Sequence, residues 1–442
     1  MIIGIDTSRA NRDHKTGTEW YSYHVIQELK KMTASAVIPS EVEGSLSDLN
    51  KSDSSTPLRS GRNDNRDGIK FILYTGEKLK GDLGIMPNAN FQEKILNWPP
   101  KYLWTQIRLW WELLANPPDV LFVPAHTIPF LPIPKKIKVI TVVHDVGFKR
   151  FPEIYKPIQV MYHDWTMKKI RSRADVIVTD SEFSKKEIVE LYKVKPERIK
   201  VIYLGYDKDK YNIEVARVIS IPSASLGINS AEEFLKESDS STALRSGRND
   251  KGVVVKTLAK YKITKPYLLF LGRVEKKKNI LNMARAFALA KKTHPDLQLV
   301  FAGSPGNGHE ELKELINELK ISDSVILTGY LSDEEAPMLT ANAEIFLFPT
   351  LYEGFGIPML QAMACQTPVL ISDMEIHKEV AGDAALPANP YSPEAISDKI
   401  SRILDNKDLR DGLVQKGLER IREFSWEKTG KEILDIILVS KS

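Results

Sequence analysis

This chain is short of several things, and each shortage removes a class of function. Its 442 residues include one cysteine, Cys365, so an intramolecular disulfide and a thiolate metal cluster are both excluded. Cys365 falls among small residues in a helical pattern and reads as a packed core thiol. The eight histidines, His163 among them, show no metal-ligand spacing. No run of eighteen apolar residues occurs, and the N-terminus enters a strand pattern without a secretory leader, so the expected compartment is the cytoplasm. The formal net charge is only +4, which argues against nucleic acid as a partner. Asp-x-Asp occurs once, at Asp207-Lys208-Asp209. Asp373 has no second aspartate two residues away, although Glu375 is near. No metal and no cofactor are expected. Ser332-Asp333-Glu334-Glu335 reads as a helix N-cap with an acidic first turn.

What is present is a steady alternation of apolar strand patterns with helical ones, which predicts parallel sheets covered by helices. Strands are expected at 2–6, 70–74, 120–123, 138–143, 176–179 and 200–203, then at 267–271, 298–302, 325–328, 345–348 and 369–371. Helices fall between them, at 20–31, 158–173, 185–192 and 279–291 among others. The length suits two or three domains, and the pattern divides into two doubly wound α/β domains facing a cleft. Expected boundaries are 1–212 for the first domain, 213–257 for a linker and 258–425 for the second, with a terminal helix at 426–442.

The most informative stretch runs from Phe348 to Pro358. A buried strand at Ile345–Phe348 gives way to Glu353-Gly354-Phe355-Gly356, whose glycines permit close backbone approach to a ligand. Ile357 and Pro358 then open a helix; proline has no donor to lose in a first turn. A helix N-terminus behind small residues is a prepared anion site. Glu353 stands just outside it, placed for neutral hydroxyls of the same ligand. Phosphate on the helix and hydroxyls on the acid is the logic of a sugar-nucleotide site. A second strand, Tyr267–Leu271, ends in Gly272-Arg273, and Lys276, Lys277 and Lys278 follow. Open α/β sheets bind ligands beyond the carboxyl ends of strands, where Arg273 offers a planar fork for phosphate and Lys278 a point charge. The plain alternative is a solvated basic loop.

Together, Glu353-Gly354-Phe355-Gly356, Gly272-Arg273 and Lys278 resemble the retaining glycosyltransferases of the GT-B fold, group 1 or family 4. The resemblance extends to Met1–Asp6, His144-Asp145, Asp180-Ser181-Glu182-Phe183-Ser184, Glu379–Ala385 and Phe424-Ser425-Trp426. It implies two Rossmann-like domains, with the terminal helix crossing back to the first. It implies transfer of a sugar from a nucleotide-sugar donor, GDP-mannose or a UDP-sugar, to a glycan or lipid-linked acceptor, with retention and without a metal. Asp207-Lys208-Asp209 would then be a hinge turn. His144 would lie beside the donor sugar; read alone, a histidine after a buried strand is more often structural. Catalysis falls to His144, Glu353, Arg273 and Lys278. Donor binding falls to these last three with Gly17, Gly272, Gly329, Tyr330, Leu331, Gly354, Phe355, Gly356, Ile357 and Gln361.

The chain departs from that family at Gln361, where an acid is usual on the ribose hydroxyls; Gln still accepts there, but without charge. Gln366 stands where glycine is frequent. The N-terminal loop Thr16-Gly17-Thr18-Glu19-Trp20 keeps one glycine, and its Glu19 either repels a diphosphate or caps the helix. Gly303-Ser304-Pro305-Gly306-Asn307-Gly308 lacks dinucleotide-fingerprint spacing and reads as a flexible turn. Two alternatives stand beside transfer: another enzyme, a sugar-nucleotide epimerase of similar architecture, and a non-catalytic protein that only binds sugar nucleotides.

Two features lie outside the resemblance. Ser52–Asp64 recurs at Ser238–Asp250 with one difference, Pro57 against Ala243. Both copies are polar, Ser- and Gly-rich and poor in strand pattern; they read as inserts in tolerant loops, against a paired recognition element. Trp98, Trp104, Trp110 and Trp111, with Lys101 and Arg108, make an aromatic and basic segment. It reads as a core helix before the strand at 120–123 or as a peripheral membrane contact beside a lipid-linked acceptor.

Overall fold

The computed structural model describes residues 1–13, 15–34, 68–98, 103–213 and 257–439. Both repeat copies, Lys101 and nearly all of the expected linker lie outside the described residues.

Two parallel sheets are formed. The first has the order β3-β2-β1-β4-β5-β6-β7, from β1 Ile2–Asp6, β2 Lys70–Thr75, β3 Phe91–Ile95, β4 Val120–Val123, β5 Lys138–Val142, β6 Val176–Thr179 and β7 Ile199–Val201. The second has the order β10-β9-β8-β11-β12-β13, from β8 Tyr267–Leu271, β9 Gln298–Ala302, β10 Val325–Gly329, β11 Ile345–Phe348, β12 Val369–Ser372 and β13 Leu386–Ala388. This is the doubly wound α/β architecture expected from the alternation. The central strands β4 and β11 are buried along their whole length, as strands covered by helices on both faces must be.

Two strands went unforeseen, both at sheet edges. β3 is Phe-Gln-Glu-Lys-Ile and half exposed, and β13 is Leu-Pro-Ala. Charges and proline are how sheets finish their edges, so neither segment carries an apolar signature. Expected strand 200–203 forms instead at Ile199–Val201.

In each sheet the strand order reverses between two central strands, β1 and β4 in the first and β8 and β11 in the second. A crevice forms at such a point because the connections leave in opposite directions. The carboxyl ends of the strands in both sheets meet across the cleft. The helix Trp426–Val439 packs on Gly17–Ala34 of the first domain: Thr429 Oγ1 donates to the Tyr203 carbonyl at 2.7 Å, and the Trp426 ring stacks on His24 at 4.7 Å. Gly205 makes this crossing possible, since a Cβ there would lie 2.1 Å from the Trp426 nitrogen.

Candidate active site

The site builds from the end of β11. After Phe348 the chain turns through Glu353 and Gly354 to Gly356, whose φ of 100° is left-handed and suits glycine. The helix Ile357–Ala364 begins there, with Pro358 in its first turn. The freedom of Gly354 is used differently from the sequence reading. A Cβ on it would lie 2.3 Å from the His144 carbonyl oxygen and 3.1 Å from Asp145 Cβ. Its missing side chain therefore admits the first domain's backbone. Ser181 Oγ and Ser184 Oγ both donate to the Gly354 carbonyl, at 2.8 and 3.3 Å. Phe355 is buried against Tyr203 and Phe424.

The lysine triplet is not one solvated basic loop, because its members go three ways. Lys276 pairs with Glu311 at 2.5 Å. Lys277 turns inward, its ammonium held above the ordinary lysine range: burial works against the charge, and Asp145, Tyr155 and Glu353 outweigh it. Lys278 forms an ion pair with Glu353, both side chains largely buried. Asn279 locks this turn to the end of β11 by donating to the Pro349 carbonyl at 2.9 Å and the Pro390 carbonyl at 2.7 Å. Arg273, at the end of β8, is 65% exposed, and its Nε lies 3.6 Å from Glu275. Gly306 of the neighbouring turn lies under it: a Cβ there would sit 3.0 Å from Arg273 Nε. That turn also reaches the first domain, where Asn307 donates to the Ile154 carbonyl at 3.1 Å.

From the first domain, His144 follows β5. Its Nδ1 lies 2.7 Å from Asp180 Oδ2, and its Nε2 is buried without a hydrogen-bond partner. Burial alone would lower the imidazolium's pKa; Asp180, with Asp145 and Glu19 behind it, raises it above the ordinary value. The Tyr21 ring stands edge-on to His144 at 4.7 Å. Asp145 is half-buried and stays below the usual carboxylate range, because Lys277 and the Gly147 amide outweigh the cost of burial. Glu379 of the second domain accepts from the Glu182 and Phe183 amides at 2.7 and 3.0 Å. It thus caps a first-domain helix, Glu182–Tyr192.

The remaining sequence candidates lie on other elements. Gly17 opens the helix Gly17–Ala34 and has open space where a Cβ would go. Glu19 caps that helix: it accepts from the Thr16 amide at 3.2 Å and pairs with Arg9 and Arg12, each at 3.3 Å. Its charge is therefore neutralised locally. Gly329 has a left-handed φ of 72° at the end of β10 and accepts from Gly303 N at 2.8 Å; Tyr330 follows and Leu331 is buried. Gln361 is half-buried in the helix Ile357–Ala364. Asp207 closes a turn on the Lys210 amide at 3.2 Å, and Ser332 and Glu335 cap each other's amides. Asp180, Lys277, Asn279, Tyr21 and Glu379 were not among the candidates. For Asp180 a signal existed: an acid ending the strand beside the one that ends in His144.

Residues 257–420 match the family model of Glycosyl transferases group 1, and residues 86–210 match that of Glycosyltransferase Family 4. O-antigen chain mannosyltransferase B of Escherichia coli is 28% identical over 292 residues, which are 66% of this chain and 67% of that protein. O-antigen chain mannosyltransferase RfbU of Salmonella typhimurium is 25% identical over 279 residues, 63% of either chain. The chain spans about half to two thirds of the length of the curated relatives it matches. Among solved structures, Anabaena HepE in complex with UDP and glucose superposes with a TM-score of 0.63 at 13% identity, over 99% of this chain and 100% of that one. At that identity the likeness speaks for the fold, which is GT-B.

Proposed function

Since this chain belongs to the group 1 and family 4 glycosyltransferases, we propose that it transfers a hexose from a nucleotide sugar to a glycan or lipid-linked acceptor, with retention and without a metal. One observation carries the reading. The Glu353–Lys278 pair and the Gly356–Ile357 helix start flank Gly354, where a Cβ would meet the His144 carbonyl, and Arg273 ends β8, the strand beside β11. A cation and a helix start of the second domain thus adjoin the backbone of the first-domain segment that carries His144.

The reaction breaks the bond between the sugar's anomeric carbon and the diphosphate. Negative charge grows on the leaving oxygen, and fixed donors aimed at it supply the main stabilisation. We assign that role to Lys278, Arg273 and the amides at Gly356 and Ile357. In the free enzyme Glu353 neutralises Lys278, which keeps two largely buried charges tolerable. A donor would separate them, phosphate going to Lys278 and sugar hydroxyls to Glu353. The acceptor hydroxyl attacks on the face the diphosphate leaves, and the leaving phosphate oxygen takes its proton. No side-chain nucleophile is consumed. Asp180 fixes the His144 ring so that Nε2 faces the sugar. Gln361 accepts from the ribose.

For the donor, we take mannose on GDP as the first choice. The mannosyltransferase relatives support it, while the UDP carried by HepE keeps a UDP-sugar in view. A thermal-shift panel of UDP, GDP and ADP tests the base; a ligand at 100 times its Kd stabilises by about 2.7 kcal/mol. Release of free nucleotide that depends on an added acceptor tests transfer. Sugar released from the donor without any acceptor would favour the epimerase or a hydrolase instead. Nucleotide binding with no turnover on any donor would leave a binding protein.

A further inference from the structure

The helix Pro157–Arg173 is apolar on two sides. Its inner side buries Met167 and Ile170, and sets the His163 ring against Phe148 and His126, each at 5.2 Å. Its outer side shows Ile158, Met161, Tyr162 and Trp165, at the i, i+3, i+4, i+7 spacing of a single stripe. Ile158 is 66% exposed, Met161 64% and Trp165 52%. A soluble surface gains nothing from such a stripe, since each side chain could be polar without disturbing the core.

The stripe continues onto a neighbouring loop. Phe130 packs on Trp165 with ring centroids 3.6 Å apart and on Tyr162 at 5.8 Å. Leu131 beside it is exposed. Trp110 Nε1 donates to the Pro132 carbonyl at 2.9 Å and holds this loop in place. The surrounding charge is predominantly basic. Residues 128–138 and 156–173 hold eight Lys and Arg and one acid, Asp164. That acid is engaged by Lys149 at 2.9 Å and Lys168 at 2.8 Å, so it offers little repulsion to an anionic surface. Lys135, Lys136 and Lys156 are exposed at the edge of the apolar patch.

We propose that this face docks on an anionic lipid bilayer, with Ile158, Met161, Trp165 and Leu131 entering the interface and the lysines around them meeting lipid phosphates. Aromatic side chains between apolar and basic ones suit the headgroup level, and an apolar stripe flanked by cations is the pattern of an interfacial helix. The basic surround decides against a second copy of the chain, which would bring like charge onto like. The inner side of the same helix leads to His163, His126 and Asp145 beside the cleft, so a lipid-anchored substrate would enter from the docked edge. The docking itself does not depend on the transferase reading.

The test is co-sedimentation of the full chain with phosphatidylcholine vesicles, with and without phosphatidylglycerol. The wild type should pellet with the anionic vesicles, and Trp fluorescence should be quenched by brominated lipid. M161E/W165E should lower binding about tenfold or more, as expected for charge placed in the interface. K135E/K136E should lower it by roughly fivefold or more for each charge lost, from about 1 kcal/mol per residue, and only on anionic vesicles. Thermal shift by nucleotide should be unchanged in both, which separates a docking defect from a folding or donor-site defect. A wild type that stays in the supernatant would overturn the proposal. So would variants that pellet like the wild type, or a wild-type dimer in sedimentation velocity that M161E/W165E dissociates.

Discussion

Asp180 Oδ2 stands 2.7 Å from His144 Nδ1, joining the ends of two adjacent strands, β5 and β6. The carboxylate fixes which ring nitrogen carries the proton and which way the ring faces. Asp180→Asn keeps the shape and removes the charge. Hydrogen bonds to charged groups contribute about 1.5–3 kcal/mol, so turnover should fall roughly 10- to 100-fold. Burial, which opposes the imidazolium, would no longer be outweighed to the same degree. The limb of the pH–rate profile set by His144 should therefore move to lower pH. An unchanged profile would mean that Asp180 only packs.

Arg273 and Lys278 differ in burial, and their alanine variants should differ in stability. Both should lose turnover by about 2.7–4 kcal/mol, the scale of a lost oxyanion donor. Arg273→Ala should melt like the wild type, since the side chain is 65% exposed. Lys278→Ala should also melt lower, because it leaves Glu353 buried without its partner. Steady-state kinetics and calorimetric melts separate the two; normal turnover in either variant would remove that residue from the mechanism.

Gln361→Glu should tighten nucleotide binding if this position holds the ribose. Replacing a neutral acceptor with a charged one gains about 1 kcal/mol, or roughly fivefold in Kd. Isothermal titration with the preferred nucleotide checks it. Equal or weaker binding would place the ribose elsewhere.

His377 gives the fold an acid limit. It is fully buried, accepting or donating at both nitrogens with Thr350 and Ser372, and burial pushes its pKa down to about 3, with Lys278 adding to the effect. The native state resists protonation, while the unfolded chain protonates at the ordinary 6.5. Its contribution is therefore complete above pH 6.5 and lost as pH falls toward 3. Between pH 7 and 5 the loss should be about 2 kcal/mol. Urea melts at the two pH values measure it, and His377→Gln should flatten the difference. A variant with the same pH slope as the wild type would assign the loss to other groups.

Glu379 caps a helix in the other domain, so its contribution belongs to the arrangement of the two domains. Glu379→Ala removes a cap of about 0.5–2 kcal/mol from the closed form alone. Small-angle scattering should show a larger radius of gyration, with the melting temperature of the isolated transitions little changed. Identical scattering curves would assign closure to Ser181 and Ser184.

Much of the architecture was legible because it is local. An apolar run of strand length, a glycine at its end and a proline in the next first turn are read from neighbours in sequence, so β8, β11 and the helix Ile357–Ala364 were placed within a residue or two. The edge strands β3 and β13 were not, because an edge needs little apolar character. What the chain alone could not decide is which strand ends lie side by side. His144 and Asp180 are 36 residues apart, and Lys278 and Glu353 are 75 apart. Strand order brings each pair together, and strand order follows from how whole helices pack on both faces of the sheet. The use of Gly354 to admit the His144 backbone and the turn of Lys277 toward Asp145 and Tyr155 come instead from one domain packing on the other. Sequence determined which chemistry each loop carries; only the strand order within each sheet and the packing of one domain on the other decided which of those groups lie side by side.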